Sequence, residues 1–257
     1  MKGNKALAIV LVMAVSTALL GACAGNPEIA KAKYVANGQK YMKKQQYASA
    51  AIEFRNALKI DPRFVDAYYQ LAQAGLAERD WRAAYAALEK SIELDPNRLD
   101  ARLDRGRLYI ASRDYKKAEE DANYVLARDT KNIGAYDLLG AALVSQQKSD
   151  EALAAFTKLT ELNPKGASAY MNMALVEITL RRLPDAQEHF QRAVQLDPMS
   201  VQANLNLANF YRLTGKSSEA EQVLETAIHS SPEAYQLYID LATSLSSAGT
   251  GWRGSGK

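Results

Sequence analysis

Proline recurs in this chain at an interval of 34 residues, and this period constrains the fold more than any other feature. Six positions at that spacing hold five prolines and one threonine: Pro62, Pro96, Thr130, Pro164, Pro198 and Pro232. A proline ends a helix because its nitrogen cannot donate to the helical hydrogen-bond ladder. A period of this length predicts stacked supersecondary units, each of which buries its apolar face against its neighbours.

Other positions keep the same register. If each proline stands at position 32, full repeats begin at Lys31, Val65, Leu99, Ile133, Ala167 and Val201, and a partial repeat begins at Tyr235. Position 20 is alanine in every full repeat: Ala50, Ala84, Ala118, Ala152, Ala186 and Ala220. Position 8 is always glycine or alanine, whereas positions 4, 7, 11 and 24 carry mostly larger side chains at helical periodicity, and position 27 is expected to pack with them. The pattern predicts two helices per repeat that cross closely at positions 8 and 20.

This pattern resembles the tetratricopeptide repeat family from about residue 31 to 248. The resemblance implies an all-α fold, a right-handed α-solenoid of helix-turn-helix repeats with helices A and B in each unit. We expect six repeats over residues 31–234, a partial seventh repeat or capping helix over 235–248, and a disordered tail over 249–257. Repeat three departs most from the pattern, since it has Arg102 and Arg105 at positions 4 and 7 and Ala122 at position 24. There we expect a solvated helix face with a smaller core, or else a locally altered contact surface.

The N-terminal residues carry a targeting pattern. Lys2 and Lys5 form a basic segment that precedes an apolar run over residues 6–20. This run is shorter than the roughly 20 residues that span a bilayer. The following "LGAC" resembles the lipobox of bacterial lipoproteins, in which the cysteine is lipidated. We therefore predict a lipoprotein signal peptide over residues 1–22, with lipidation at Cys23. An ordinary secretory peptide or a short membrane anchor is the alternative.

Residues 23–30 are predicted to form the lipid anchor, a short linker and the start of the first helix. Asn26, Pro27 and Glu28 are typical of a helix start, because they cap, preset and electrostatically complement its first turn. Ala24 is not the aspartate that marks inner-membrane retention in similar lipoproteins. By that resemblance the expected localisation is the bacterial cell envelope, with the periplasmic face of the outer membrane favoured.

Composition excludes several function classes. Without Lys2 and Lys5, the 32 basic residues fall to 30 against 29 acidic ones, and Lys/Arg runs are no longer than two, so we expect no nucleic-acid partner. His189 and His229 have no ligand at a metal-binding spacing and are predicted to be ordinary helix residues. The glycines of the tail match a phosphate-binding pattern but lack the strand and helix that such a loop requires. We expect no cofactor, no metal, no small-molecule substrate and no enzymatic activity.

The expected site is the concave surface, which helix A lines through positions 2, 5, 9, 12 and 13 in the family that this chain resembles. The predicted partner-binding groove consists of Tyr69, Gln73, Leu103, Arg107, Ile110, Met171, Leu175, Ile178, Leu205, Asn209 and Arg212. Asp137 and Val144 stand at equivalent positions. The second half is apolar, which suggests a hydrophobic or amphipathic peptide. Alternatively, these side chains contact only the neighbouring helix A.

In the same family, a clamp for C-terminal carboxylates needs lysine and asparagine at positions 5 and 9 and asparagine at position 6 of the next repeat. Repeats one, five and six lack that combination. The leading hypothesis is a non-enzymatic envelope lipoprotein scaffold that binds protein or peptide partners and is held to the membrane by its lipid. It resembles lipoproteins that assist assembly of secretion, pilus or exopolysaccharide export machines, and the sequence does not choose among them. The alternative is the repeat arm of a glycosyltransferase or protease whose catalytic part is absent from this chain.

Overall fold

The computed structural model describes residues 26–250, and this range is helical with no strand in it. Its thirteen helices are α1 (Pro27–Lys43), α2 (Tyr47–Ile60), α3 (Val65–Glu78), α4 (Trp81–Leu94), α5 (Leu99–Ala111), α6 (Tyr115–Leu126), α7 (Ile133–Ser145), α8 (Ser149–Leu162), α9 (Ala167–Thr179), α10 (Leu183–Leu196), α11 (Val201–Leu213), α12 (Ser217–Ser230) and α13 (Tyr235–Thr250). The predictions for the signal peptide, for Cys23 and for residues 251–257 lie outside the described residues.

Odd-numbered helices are helix A of a repeat, and even-numbered helices are helix B. From α3 onwards, every helix A begins at the residue where the 34-residue period places the start of a repeat. The helix start at Pro27 is confirmed, because the Asn26 side chain accepts a hydrogen bond of 3.0 Å from the Glu28 N–H. Helix α13 reaches Thr250, two residues beyond the predicted end of the partial repeat.

Every full repeat has the same backbone conformation in the turn from helix A to helix B. The residue at position 15 has a left-handed conformation, with φ between 57° and 77°, in all six: Gln45, Arg79, Arg113, Gln147, Arg181 and Gly215. The N–H of the next residue donates to the carbonyl at position 11, as from Asp80 to Gly75 and from Arg182 to Glu177, both at 2.8 Å. This closure resembles a Schellman motif and satisfies a carbonyl at the end of helix A.

Position 4 has a role that the sequence pattern did not reveal. In repeats three to six its side chain donates a hydrogen bond to the carbonyl at position 32 of the preceding turn. The donor and acceptor pairs are Arg102 to Pro96 (3.1 Å), Tyr136 to Thr130 (3.4 Å), Tyr170 to Pro164 (3.5 Å) and Asn204 to Pro198 (2.9 Å). Tyrosine, arginine and asparagine therefore serve the same purpose there.

In repeat three, the side chain of Arg105 is largely buried and ion-paired with Glu89 at 2.5 Å, so the face of α5 that carries Arg105 is not simply solvated as expected.

The chain divides into two compact units, one ending at Leu108 and the other beginning at Tyr109. In the first unit, apolar clusters form around Phe54 and around Leu88. In the second, they form around Phe156 and around Phe190. The alanine side chains at position 20 are fully buried in both units.

Small residues at position 8 allow close packing, as predicted, although their neighbour differs from the expected one. A Cβ atom placed on Gly38 would lie 2.5 Å from the Phe54 ring, and one placed on Gly140 would overlap the Phe156 ring. In these repeats position 8 therefore meets the large side chain at position 24. No helix within residues 26–250 is both long and apolar enough to cross a membrane.

Candidate functional site

The predicted groove residues occur in both units. Tyr69 and Gln73 of α3, with Leu103 and Arg107 of α5, belong to the first unit. Ile110 belongs to the second unit, as do Met171, Leu175 and Ile178 of α9 and Leu205, Asn209 and Arg212 of α11. Leu103 and Ile110 are both partly buried. Each unit therefore presents its own candidate surface.

In the first unit, the predicted residues converge on Asp104, which is not itself one of the predicted groove residues. Its carboxylate accepts hydrogen bonds from the Tyr69 hydroxyl at 3.1 Å and from Gln73 Nε2 at 2.6 Å. Arg107 Nη1 forms an ion pair with the same carboxylate at 2.6 Å. We call these four residues the Asp104 cluster. Because their polar groups bond to one another, the cluster offers a ligand few unsatisfied donors.

Burial raises the pKa of the Tyr69 phenol, and the negative charges of Asp104 and Asp100 raise the pKa further. The phenol therefore stays protonated and donates to Asp104. Tyr69, Gln73 and Asp104 occupy positions 5 and 9 of one repeat and position 6 of the next, where a carboxylate clamp would place its residues. The geometry of those positions is present, but a carboxylate at the centre repels another carboxylate.

In the second unit, an open cleft of about 770 Å³ lies between helix A of repeat four and helix A of repeat five. We call it the α7–α9 cleft. Val144 of α7 and Leu175 of α9 line it together with Phe156 of α8, while Asn172 and Ser145 supply polar groups. Leu175 is 47% exposed and Val144 is 44% exposed. Its volume falls in the range of about 300–1,000 Å³ that is usual for ligand pockets.

The predicted strip of Met171, Leu175 and Ile178 is divided in the structure. Met171 and Ile178 are partly buried against the cluster around Phe190, as is Leu205 of α11. Leu175 instead faces the cleft. Residues 171 and 178 are seven apart and lie about 20° from each other around the helix, whereas residue 175 lies about 40–60° away. Packing against the neighbouring repeat therefore accounts for the first two side chains, and Leu175 remains available to a partner.

Asn209 and Arg212 are engaged within the chain. Arg212 Nη2 forms an ion pair with Asp240 Oδ2 of α13 at 2.5 Å, and the same nitrogen donates to Asn209 Oδ1. Arg212 Nη1 also donates to the Asp240 carbonyl at 3.4 Å. These bonds tie α11 to α13. That the two residues orient a partner remains a prediction.

A buried acid lies in the same repeat as Leu175. Glu177 stands at position 11, is only 3% exposed, and its Oε2 lies 2.8 Å from His189 Nδ1. Burial raises the pKa of the Glu177 carboxyl, and the interaction with His189 acts in the opposite direction. This pair leaves no signal in the repeat pattern, because its members lie on different helices. No group of three or more histidine, cysteine, aspartate or glutamate side chains in the described part of the chain could hold a metal ion.

Family comparisons agree with the repeat register. Residues 23–170 match the family described as the cytochrome c-type biogenesis protein H TPR domain. Residues 171–235 match a family described as tetratricopeptide repeat. No curated protein matches this chain.

Several solved structures are similar to this one. Pseudomonas aeruginosa pilF has a TM-score of 0.68 and 18% identity, over 84% of this chain and 99% of that chain. A tetratricopeptide repeat protein from Parabacteroides merdae has a TM-score of 0.71 and 18% identity, over 81% of this chain and 83% of that chain. YrrB, described as a TPR protein with an unusual peptide-binding site, has a TM-score of 0.54 and 22% identity, over 73% of this chain and 96% of that chain. These similarities show that the fold is the helical solenoid of such repeats.

Proposed function

The chain belongs to the tetratricopeptide repeat family, and from this premise we propose that it is a lipid-anchored, non-enzymatic scaffold of the bacterial envelope. Repeats of this family bind protein or peptide partners, and the proteins that carry them are generally non-catalytic. The partner of this chain is an apolar or amphipathic peptide segment, which it binds in the α7–α9 cleft. Its work is to assist the assembly of a secretion, pilus or exopolysaccharide export machine.

The observation that carries the peptide-binding proposal is the exposure of aliphatic side chains in the cleft. Leu175 and Val144 are both nearly half exposed on the walls of one concave site. A peptide side chain placed between them would remove apolar surface from water, which stabilises a complex by about 25 cal/mol per Å² before the costs of association. Asn172 and Ser145 lie beside them and can bond to the peptide backbone.

The names of the similar proteins support the wider role. The family that matches residues 23–170 is named for the biogenesis of c-type cytochromes, which is an assembly process. YrrB is described by its peptide-binding site. Peptide binding in the service of assembly is therefore the function that we propose for this chain.

The envelope location depends on the anchor at Cys23. We expect a fatty-acid analogue supplied to cells to label the wild-type protein and to leave Cys23→Ser unlabelled. The labelled protein should fractionate with the outer membrane and be reached only from its periplasmic side. Label that persists in Cys23→Ser would refute the anchor, and it would leave the peptide site unaffected.

The peptide site is tested by Leu175→Glu. Because Leu175 is exposed, the carboxylate stays hydrated in the free protein, and a bound apolar side chain would have to desolvate it. We expect partner affinity to fall by about 30-fold, which corresponds to roughly 2 kcal/mol. Leu183→Glu is the matched control, because Leu183 is also an exposed leucine, at 40%, but it belongs to a helix B and does not line the cleft.

Affinity purification from membranes with both variants, followed by mass spectrometry, identifies the proteins whose recovery depends on the cleft. Circular-dichroism melting of the same samples checks the fold. Equal recovery of every partner by Leu175→Glu and Leu183→Glu, with normal melting, would exclude the cleft. Unfolding of Leu175→Glu would instead show that Leu175 supports the core, and Val144→Glu would then test the opposite wall.

A further inference from the structure

The first helix presents a basic face to solvent. Lys33 and Lys40 of α1, with Lys44 directly after it, lie within about 40° of one another around the helix axis. Lys43 stands beside them, and all four side chains are exposed. Buried Gly38, which packs against Phe54, marks the opposite side of the helix. We call these four lysines the lysine face.

No carboxylate neutralises the lysine face within the described part of the chain. The one acidic residue of α1 is Glu28, which forms an ion pair with Lys31 Nζ at 2.8 Å. Lys31 also pairs with Asp61 at 2.9 Å and lies on the core side of the helix. Glu53 of α2, which packs against α1, accepts a hydrogen bond from Asn37 at 3.1 Å. Within residues 26–250, the lysine that faces inward is therefore paired, and the four outward lysines have no acidic partner.

Small and apolar side chains complete this face. Ile29 is 68% exposed in the first turn of α1, and exposed Ala36 lies between Ile29 and Lys40 along the helix. Cationic and apolar groups on one surface are typical of helices that lie at the interface of a membrane. A face that served only solubility would not require an exposed isoleucine at its end.

The position of α1 in the chain suggests what covers this face. Only two residues, Ala24 and Gly25, separate Cys23 from the helix cap at Asn26, and the three steps along the chain between them span at most about 10 Å. A lipid on Cys23 would hold the beginning of α1 at the headgroups of the bilayer. The first protein surface to meet those headgroups would then be α1.

We propose that the lysine face of α1 docks on anionic phospholipid headgroups. This inference rests on the proposed lipid anchor. Juxtamembrane lysines are attracted to anionic lipids, and the attraction acts over about a Debye length, roughly 10 Å at 0.1 M salt. The lipid keeps the beginning of α1 within that distance. When the helix then lies along the bilayer surface, the four ammonium groups contact phosphate groups and Ile29 inserts at the edge of the acyl region. The first repeat is thereby held on the membrane in a defined orientation rather than swinging on its linker.

The test uses the full-length protein purified from membranes and reconstituted into vesicles. Ala36→Cys, labelled with an environment-sensitive fluorophore, reports whether the lysine face approaches lipid. In vesicles containing phosphatidylglycerol, we expect blue-shifted emission that brominated lipids quench. In pure phosphatidylcholine vesicles, or at raised salt, the shift and the quenching should both be lost.

A charge-matched pair of variants separates the lysine face from net charge. Replacing Lys33, Lys40, Lys43 and Lys44 with glutamine should abolish the response. Replacing four exposed lysines elsewhere, Lys59, Lys116, Lys131 and Lys165, should preserve it. Equal loss in both variants would overturn the proposal in favour of a general charge effect.

Mass spectrometry of the N-terminal peptide distinguishes failure of this proposal from failure of the anchor. A lipidated protein whose label is not quenched in anionic vesicles retains the anchor and refutes docking of α1. Absence of lipid from the N-terminal peptide would refute the anchor. If the fluorophore of that protein is also not quenched in anionic vesicles, docking of α1 is refuted as well. Binding of an acidic protein to the lysine face that prevents quenching on intact membranes would also overturn the proposal.

Discussion

The Asp104 cluster and the α7–α9 cleft are built from nearly the same positions of helix A and have opposite characters. In the cluster, Tyr69 and Gln73 at positions 5 and 9 bond to a single, partly buried carboxylate. In the cleft, Leu175 at position 9 and Val144 at position 12 are nearly half exposed. The repeat scaffold therefore does not by itself make these positions into a binding site.

The difference shows what determines an open surface. A polar side chain at a helix A position can reach the helix A of the next repeat and be satisfied there, which closes the surface. An aliphatic side chain has no directional partner, so it remains exposed unless the next helix covers it, as happens to Met171 and Ile178. We infer that function lies where these positions lack an internal partner.

Overpacking the repeat scaffold should have the largest effect on the free energy of unfolding. The loss of stability should be similar in both units. Ala152→Leu forces an isobutyl group into a fully buried site in the apolar cluster around Phe156, which should destabilise the fold by about 1–3 kcal/mol. Ala84→Leu, at the same position in the first unit, should cost a comparable amount. Ala154→Leu is the control, because Ala154 is exposed on the same helix as Ala152.

Denaturant unfolding measures these costs, and amide exchange locates them. Protection should fall most in the repeats next to the substitution, because repeats couple mainly to their neighbours. If Ala152→Leu melts like wild type while Ala154→Leu does not, the assignment of position 20 to the helix crossing is wrong.

Removing the charge of Asp104 should separate the two regions. Asp104→Asn weakens three hydrogen bonds or ion pairs at one partly exposed group, so we expect a loss of roughly 1–2 kcal/mol. The pKa of Tyr69 should fall, since a negative charge that disfavours the phenolate is removed, and should stay above its ordinary value because the ring remains buried. Partner recovery through the α7–α9 cleft should not change.

Urea unfolding measures the loss of stability, and an NMR titration of the Tyr69 ring measures the fall in its pKa. A double-mutant cycle with Tyr69→Phe isolates their shared hydrogen bond. Additive stability changes in that cycle would show that the bond contributes nothing.

Periodicity predicted the parts of the structure that recur. It located the starts of helix A and the buried alanines because every repeat needs a close crossing at the same place. It did not reveal Asp104 or the Glu177–His189 pair, since each forms where one repeat departs from the pattern and bonds to a residue on another helix. It also grouped Met171, Leu175 and Ile178 by spacing alone, whereas their burial depends on where the next repeat packs.

A smaller effect concerns a polar group in the core of the first unit. Ser91 stands at position 27, is fully buried, and its hydroxyl has no hydrogen-bond partner in the described structure. Ala57, Ala193 and Ala227 occupy the same position in other repeats and are buried as well. Ser91→Ala should therefore stabilise the protein by about 1 kcal/mol, because it removes an unsatisfied hydroxyl without changing the packing. A lower stability by urea unfolding would mean that the hydroxyl has a partner, such as a buried water.

The smallest expected effect is a change of the unfolding free energy with pH. It arises from Glu177, the buried acid of the second unit, whose surroundings differ from those of Asp104. Glu177 has His189 as its side-chain partner, whereas Asp104 has three donors. Because burial raises the pKa of Glu177 in the folded protein, the stability that this group contributes is fully present below its ordinary pKa of 4.5 and is lost as the pH rises through the raised value. Arg182 and Asp185 also act on this carboxyl, with opposite signs.

Glu177→Gln keeps the shape and the hydrogen-bonding capacity of the side chain but does not titrate. Below about pH 4.5 the variant and the wild type should have similar unfolding free energies, and at neutral pH the variant should be the more stable. Urea unfolding across this pH range measures the difference, and repeating it in a His189→Asn background isolates the contribution of the pair. If the variant is instead less stable at neutral pH, attraction between Glu177 and His189 outweighs the cost of burial, and this carboxylate is as well satisfied as Asp104.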